Sequence, residues 1–412
     1  MLRFFLLIIS LIFFTSLSAQ ERTLNDYLYT ASQNSALLKD YNNQIQAGKI
    51  DSAVITAGYK LQVNIYSTNS YAPVINGYGY EGAITNVGNF SELINVAKQF
   101  AGKKNLQNQY NLVQLVNDSI RIASKISQQD LEKAITQQYI TAYGSWQQYL
   151  FNKEVYDLLS KEDTILKSLT QSAVYRQTDY LTFLVTLQQQ KIAVLQARLQ
   201  LQNDYAQLNY LAGIFDTTFQ ALAEPNIGVQ NILPPDYTVY YQKFTIDSLL
   251  LQNEHARIDY SYKPKLSVYG DAGYVSTLTY QPYKNFGTSF GLNLTVPIYD
   301  GGQRKLQHQR LDIAEQTRQY YRDFFQIQYN QQLAQLIQQL NATQQLIDET
   351  TAQLKYVEGL IQANKKLLAT GDVRIADYII AINNYLNAKN TITQNTLNKL
   401  QIITQINYWN KR

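Results

Sequence analysis

The chain has no cysteine in its 412 residues. That removes a structural disulfide, a thiolate metal site and a cysteine-borne N-terminal lipid from consideration. Charge is also scarce. Asp, Glu, Lys and Arg make up 16% of the residues, against about 25% in an average domain, and Gln, Asn, Thr and Ser take their place. The net charge of +4 is too weak to imply a nucleic-acid partner. Histidine occurs twice, as His255 in Asn253-Glu-His-Ala-Arg257 and His308 in Gln307-His-Gln-Arg310. These polar helical surroundings predict solvated surface roles. There is no H-E-x-x-H, no G-x-S-x-G and no phosphate-cradling glycine loop, so neither an enzyme, nor a cofactor, nor a bound metal is expected. Beyond the N-terminus, no apolar run reaches the roughly 18 residues of a membrane helix.

Proline is missing from two long blocks, 74–224 and 298–412, and the seven prolines fall outside them. A mid-helix proline costs about 3 kcal/mol, so these blocks are where long helices can form. Residues 1–20 stand apart: Arg3 is a short basic region, Phe4–Phe14 an apolar one, and Ser16, Ser18 and Ala19 offer cleavage near 18–20. This reads as a secretory signal peptide. Tyrosine is abundant, with 34 residues, which suits a membrane–water interface and β surfaces alike.

Residues 21–58 predict a helix. Leu61, Val63 and Ile65 then alternate with Gln62, Asn64 and Tyr66, the two-residue period of a strand. Turns around Pro73 and Asn76-Gly77 precede a weaker strand near 78–90. Helices are expected over 92–172 and 180–212, broken near Val174–Asp179. A linker with Pro225 and Pro234-Pro235 covers 214–243, and a further helix spans 244–260. Pro264 opens a third strand, in which Leu266, Val268, Gly270 and Ala272 alternate with Ser267, Tyr269 and Asp271. A loop at 276–285 leads to the clearest strand. There Phe286, Thr288, Phe290, Leu292, Leu294 and Val296 share one face, and Gly287, Ser289, Gly291, Asn293 and Thr295 the other. Pro297 stops it, and Asp300-Gly301-Gly302 permits a sharp turn.

From about 303 to 368 the pattern is helical. Leu333, Leu340, Ile347, Leu354, Ile361 and Leu368 recur every seven residues, with Leu336 and Val357 in the companion row. This is a coiled-coil seam. Thr343, Thr350 and Asn364 interrupt the companion row. Such a helix is on the order of 100 Å long at 1.5 Å per residue.

The chain also reads as an internal duplication. Tyr59-Lys60 with Tyr66 matches Tyr262-Lys263 with Tyr269, and Arg176-Gln-Thr-Asp179-Tyr180 matches Arg374-Ile-Ala-Asp377-Tyr378. The expected organisation is a first repeat over 21–213, the linker over 214–243 and a second repeat over 244–412. Four strands with one apolar face cannot close a barrel, and strands that span a membrane need closure, so oligomerisation is expected.

This grammar resembles the TolC-type outer-membrane efflux protein family over nearly the whole mature chain. Gly291-Leu-Asn-Leu-Thr-Val-Pro297-Ile-Tyr-Asp-Gly301-Gly302 resembles the family's last barrel strand and strand-to-helix turn. Gly371-Asp-Val-Arg-Ile-Ala-Asp377-Tyr378, followed by Leu386 and Ala388-Lys389, resembles its periplasmic helix–helix tip. Ser261-Tyr-Lys-Pro264-Lys-Leu resembles its passage from helix to strand.

The resemblance implies a mainly α fold with a small β part. Three copies would form a twelve-stranded outer-membrane β-barrel, four strands per chain, continued by a twelve-helix periplasmic barrel. The implied partners are two further copies, outer-membrane lipid, a periplasmic adaptor, and an inner-membrane pump of the resistance-nodulation-division or ABC type. The implied function is the exit duct of a tripartite efflux or type I secretion system.

The resemblance points to Asp377, Arg374 and Gly371 as pore constriction and gate, with Asp179 and Arg176 as their counterparts in the first repeat. Arg374 is expected to pair with Asp377 across helices. Tyr274, Tyr280, Tyr283 and Phe286 are candidates for an aromatic girdle, and Pro297, Gly301 and Gly302 for the structural turn. The first repeat lacks the Pro-x-x-x-Gly-Gly turn and carries Ala173 where the second has Gly371, so a different tip turn is expected there. Ile380 occupies the next acidic position of the family's tip. The rival reading is an exported trimeric coiled-coil scaffold or adhesin; it accounts for the heptads but not for four alternating strands.

Overall fold

The computed structural model describes residues 21–79, 88–216, 218–278 and 281–411. The signal-peptide segment and Tyr280 lie outside them. The described residues form two compact units, one from within 21–39, 124–239 and 324–411 and the other from within 40–123 and 240–323. Among the described residues, no helix is long and apolar enough to cross a membrane.

In order, the elements are α1 (Leu24–Asn34), α2 (Ala36–Gly58), β1 (Gln62–Tyr71), β2 (Gly88–Phe100), α3 (Lys103–Gln171), α4 (Gln177–Ala212), α5 (Val239–Ser261), β3 (Lys265–Ser276), β4 (Phe286–Thr295), α6 (Gln303–Thr370) and α7 (Ile375–Trp409). The sequence helix at 21–58 is two helices. Thr23 opens the first with a capping box, its hydroxyl taking the Asp26 N–H while Asp26 takes the Thr23 N–H. Ser35 then leaves the helical conformation, closing α1 with its N–H on Ala31 and accepting the Leu38 N–H on its hydroxyl.

A larger correction concerns the second strand. It lies at 88–100 rather than 78–90, and α3 starts at Lys103 rather than 92. Phe90–Phe100 carries enough leucine, isoleucine and alanine to read as helix, yet β2 lies between β1 and β3 and pairs with both along its length. Cross-strand neighbours decide such segments. Gly102 ends the strand, and its carbonyl accepts the first helical bond of α3, from Leu106. Helix α5 likewise begins at Val239, inside the expected linker, after a turn at Pro235–Tyr237.

The four strands form one antiparallel sheet in the order β1-β2-β3-β4, leaving β1 and β4 as edges. The register assigns each side chain to a face. Val63 faces Val96, Gly270 and Phe290 in one row, and Phe100 faces Leu266 and Leu294 in another. This face is largely apolar and uncovered, with Phe290 93% and Leu292 74% exposed, and it also carries Lys98 and Glu92, the latter accepting from Ser67 and Asn69. The opposite face carries a polar row of Asn64, Asn95, Asp271 and Ser289, in which the Asn95 amide and the Ser289 hydroxyl both donate to the Asp271 carboxylate.

Below β4, Asp300 organises the turn into α6. Its carboxylate accepts the Gly302 N–H at 2.8 Å and the Arg304 N–H at 2.7 Å, while Gly301 and Gly302 take φ of +67° and +85°. Those two N–H groups, Arg304 first, hold the Asp300 carboxyl below its ordinary range. Pro297 lies beyond the last paired residue, Thr295. The first half needs no such turn, because only Ala101 and Gly102 separate β2 from α3.

The two histidines do not stand alone. His255 on α5 and His308 on α6 bring their Nδ1 atoms to 2.7 Å, in rings 12° from parallel. His308 Nε2 lies 3.1 Å from Asp259, which also receives Arg304 at 2.7 Å. His308 Nε2 faces the Asp259 carboxylate, and the two Nδ1 atoms share a proton between the rings. The solvated surface roles expected of them give way to a clamp between the helices that flank β3 and β4.

In the other unit, Tyr27, Tyr139, Tyr205 and Leu208 form a buried core around a short bridge between Arg22 and Leu222. Tyr329, Leu333, Leu336 and Ile406 form a second. The heptad positions Leu333, Leu336, Val357, Ile361 and Leu368 are buried. The third core belongs to the candidate site.

Candidate functional site

Two helix–turn–helix tips, α3–α4 and α6–α7, share one apolar core. Val155, Leu159 and Leu166 come from α3, Tyr180 and Phe183 from α4, Ile361 and Leu368 from α6, and Ile375, Tyr378, Ala381 and Ile382 from α7.

The turns have the same backbone chemistry, against the expectation that Ala173 would force a different one. Ala173 adopts φ +61° and Gly371 φ +84°. Val174 N–H reaches the Leu169 carbonyl and Asp372 N–H the Leu367 carbonyl, both at 2.9 Å. Ala173 and Gly371 bond to Thr170 and Leu368 in the same way, at 3.0 and 3.4 Å. This pair of bonds around a left-handed residue is the Schellman motif. Alanine enters it at a cost of about 1–2 kcal/mol, offset by the packing of the turn. Val174 lies where a Cβ on Gly371 would come within 2.6 Å of its Cγ1, so only glycine fits the second turn without a shift.

Arg176 and Arg374 are the N-cap residues of α4 and α7, and Asp179 and Asp377 lie in the first turns. A carboxylate there is favoured by the helix dipole. Arg374 grips Asp377 with two hydrogen bonds, Nε–Oδ2 2.9 Å and Nη2–Oδ1 3.0 Å. The pair lies within one helical turn, not across helices as expected. Asp377 raises the Arg374 pKa through these bonds. Arg374 is 82% exposed. Asp179 is exposed too, and among the described residues it forms no ion pair with Arg176. Ile380 is exposed, where a second carboxylate was in question.

Sequence reasoning missed a buried charge beside the tip. Glu162 is 2% exposed, and its Oε1 lies 2.9 Å from Lys365 Nζ of α6. Its position on the stripe Val155, Leu159, Glu162, Leu166 was the available signal, a carboxylate at an apolar spacing. Tyr378 is fully buried, and among the described residues its hydroxyl has no hydrogen-bond partner. Burial first, then the charge of Glu162, pushes its phenol above the ordinary range. Tyr180 is better served, donating to Asp163 at 3.0 Å.

Of the girdle candidates, Tyr274 and Phe286 stand directly opposite each other on the apolar face. Tyr283 lies in the turn Pro282–Lys284, 77% exposed. Among the described residues, no three His, Asp or Glu side chains converge as metal ligands.

No protein-family model and no curated protein matches the chain. Solved structures do. A membrane protein from Pseudomonas aeruginosa superposes with a TM-score of 0.75 at 12% identity, covering 94% of this chain and 90% of its own. CusC, described in terms of transmembrane channel formation, gives 0.75 at 11% identity, covering 95% and 93%. The CmeC outer membrane channel of Campylobacter jejuni gives 0.73 at 14% identity, covering 94% and 85%. The fold is therefore the TolC-type channel fold: mainly helical, with a small antiparallel sheet.

Proposed function

We propose that the protein is an outer-membrane exit duct, passively conducting substrate delivered by a periplasmic adaptor and an inner-membrane pump, in a tripartite efflux or type I secretion system. The observation that carries this reading is the sheet: four strands, an exposed face that is mostly apolar from Val63, Val96 and Phe290 to Phe100, Leu266 and Leu294, and two unpaired edges. In water such an edge and face would aggregate. In lipid the face is covered, and the edges must be paired. Pairing β4 of one copy with β1 of the next gives twelve strands when three copies close. The exposed residues Leu306, Ile313, Tyr320 and Ile327 of α6 recur every seven residues, and a second copy of the chain is the occupant that completes such a seam.

In this assembly the polar face of the sheet lines the bore. The tips form the periplasmic gate, with three Asp377 carboxylates narrowing it and each Arg374 tempering the charge. Asp179 belongs to the outer helix pair. Gly371 keeps the two tips in close contact, and rearrangement of α7 against α6 opens the gate when the adaptor binds. The internal repeats place one tip in each half of the chain.

Detergent-extracted protein should migrate as a heat-resistant trimer and confer solute permeability on proteoliposomes in a swelling assay. A trimer whose liposomes stay tight would support the scaffold reading instead, and a monomer would contradict both.

A further inference from the structure

At the helix end of the sheet lies a cleft of about 250 Å³, lined among others by Tyr59, Phe100, Lys104, Tyr260, Lys263 and Lys265. We propose that it binds the phosphate headgroup of an anionic phospholipid, the acyl chains lying on the adjoining apolar face. This rests on the reading that the sheet spans the outer membrane.

Charge is the first support. Lys104 and Lys263 line the cleft together with Lys265, which opens β3 opposite Thr295 at its polar-face edge, and Lys98 stands one strand repeat from Phe100 on the apolar face. Among the described residues none of these four lysines is ion-paired. Two nearby carboxylates are already engaged, Asp259 of α5 by Arg304 and His308, and Asp300 of the turn before α6 by two backbone N–H groups. The cleft is thus an uncompensated cationic site.

Shape and polarity are the second support. The Lys263 ammonium lies 4.7 Å from the Tyr260 ring centre, and that of Lys98 lies 5.6 Å from the Phe100 ring centre. These lysines hold their ammonium groups over aromatic rings, pairing cation with apolar surface as side chains do at a membrane interface. Phe100 lines the cleft and also begins the exposed row Phe100, Leu266, Leu294. A ligand that matches both parts carries a phosphate at one end and hydrocarbon at the other. A free phosphate uses only the first part. The lysines near such a headgroup each strengthen its attraction.

The test uses the full trimer in dodecyl maltoside, with thermal midpoint and native mass spectrometry as readouts. Phosphatidylglycerol should raise the midpoint and be retained in the gas phase, whereas phosphatidylcholine and inorganic phosphate should do neither. K104Q/K263Q/K265Q should raise the phosphatidylglycerol concentration for half the shift by roughly a hundredfold. The charge-keeping K104R/K263R/K265R should restore binding, and K191Q/K355Q/K366Q should leave it unchanged. An equal shift from inorganic phosphate, or undiminished phosphatidylglycerol binding by the triple Gln variant, overturns the proposal. Because each variant is first shown to be a heat-resistant trimer that permeabilises liposomes, failure of the lipid site is separable from failure of the duct reading.

Discussion

The Tyr175 hydroxyl lies 3.0 Å from the carbonyl oxygen of Leu368, and 2.9 Å from that of Val373, sharing its proton between them. Tyr175 belongs to the first tip, and both acceptors belong to the second. One tip thereby donates to two carbonyls of the other turn, Val373 and Leu368, the latter also accepting the Gly371 N–H. Tyr175→Phe should cost about 1 kcal/mol. Amide hydrogen exchange should quicken over residues 369–375 while the α1 core keeps its protection. Unchanged exchange at the tip would mean that the hydroxyl contributes nothing.

The two turns make opposite demands on the same backbone. Ala173→Gly removes the left-handed strain and should stabilise by up to about 1 kcal/mol, less the extra freedom gained by the unfolded chain. Gly371→Ala adds that strain and drives a Cβ to 2.6 Å from Val174, so it should destabilise by more than the first change stabilises. Urea unfolding of both variants measures the difference, and shifts of the same sign would contradict it.

Two glycines of β3 differ in the room they have. A Cβ on Gly273 would sit 2.0 Å from the Glu92 carbonyl oxygen, whereas one on Gly270 would come no nearer than 3.7 Å to the Ser289 oxygen. Gly273→Ala should therefore disturb β2–β3 pairing and abolish the heat-resistant oligomer, while Gly270→Ala should keep it. Gel migration without boiling distinguishes the pair.

Acid should weaken a specific contact on α6. Arg318 donates twice to Glu315, at 2.8 and 2.5 Å, and these bonds hold the Glu315 carboxyl at about 2 instead of the ordinary 4.5. A carboxyl lowered on folding contributes its full stability above the unfolded value, here about pH 4.5. It loses that contribution as pH falls towards about 2. The Glu315→Gln variant should show a flatter fall in urea midpoint across this window than the parent. Parallel curves would refute the assignment.

The legible parts of the chain were those where one period ran without competition. Phe286–Thr295 alternates strictly and is bounded by proline and paired glycines, and β4 is found at those residues. The seven-residue leucines of α6 were equally plain. β2 was misplaced because Phe90–Phe100 fits both periods, and only its neighbours on either side select the strand. The His255–His308 contact joins residues 53 apart, and polar flanks gave no hint that they would meet. At the tips, the motif drew attention to Asp377 and Arg374, but it pointed to pairing across helices, whereas they pair inside one turn. The positive φ of Ala173 was also hidden, since alanine rarely takes it and the shared packing of two distant turns imposes it.

The exit-duct reading is tested most directly by single-channel recording of the purified trimer in planar lipid bilayers. The expected result is a discrete, reproducible unitary conductance that rises in Asp377→Ala, as a ring of carboxylates at the narrowest point requires. Intact trimers that insert and pass no current would contradict the duct itself, and an unchanged conductance and cation preference in Asp377→Ala would contradict the gate.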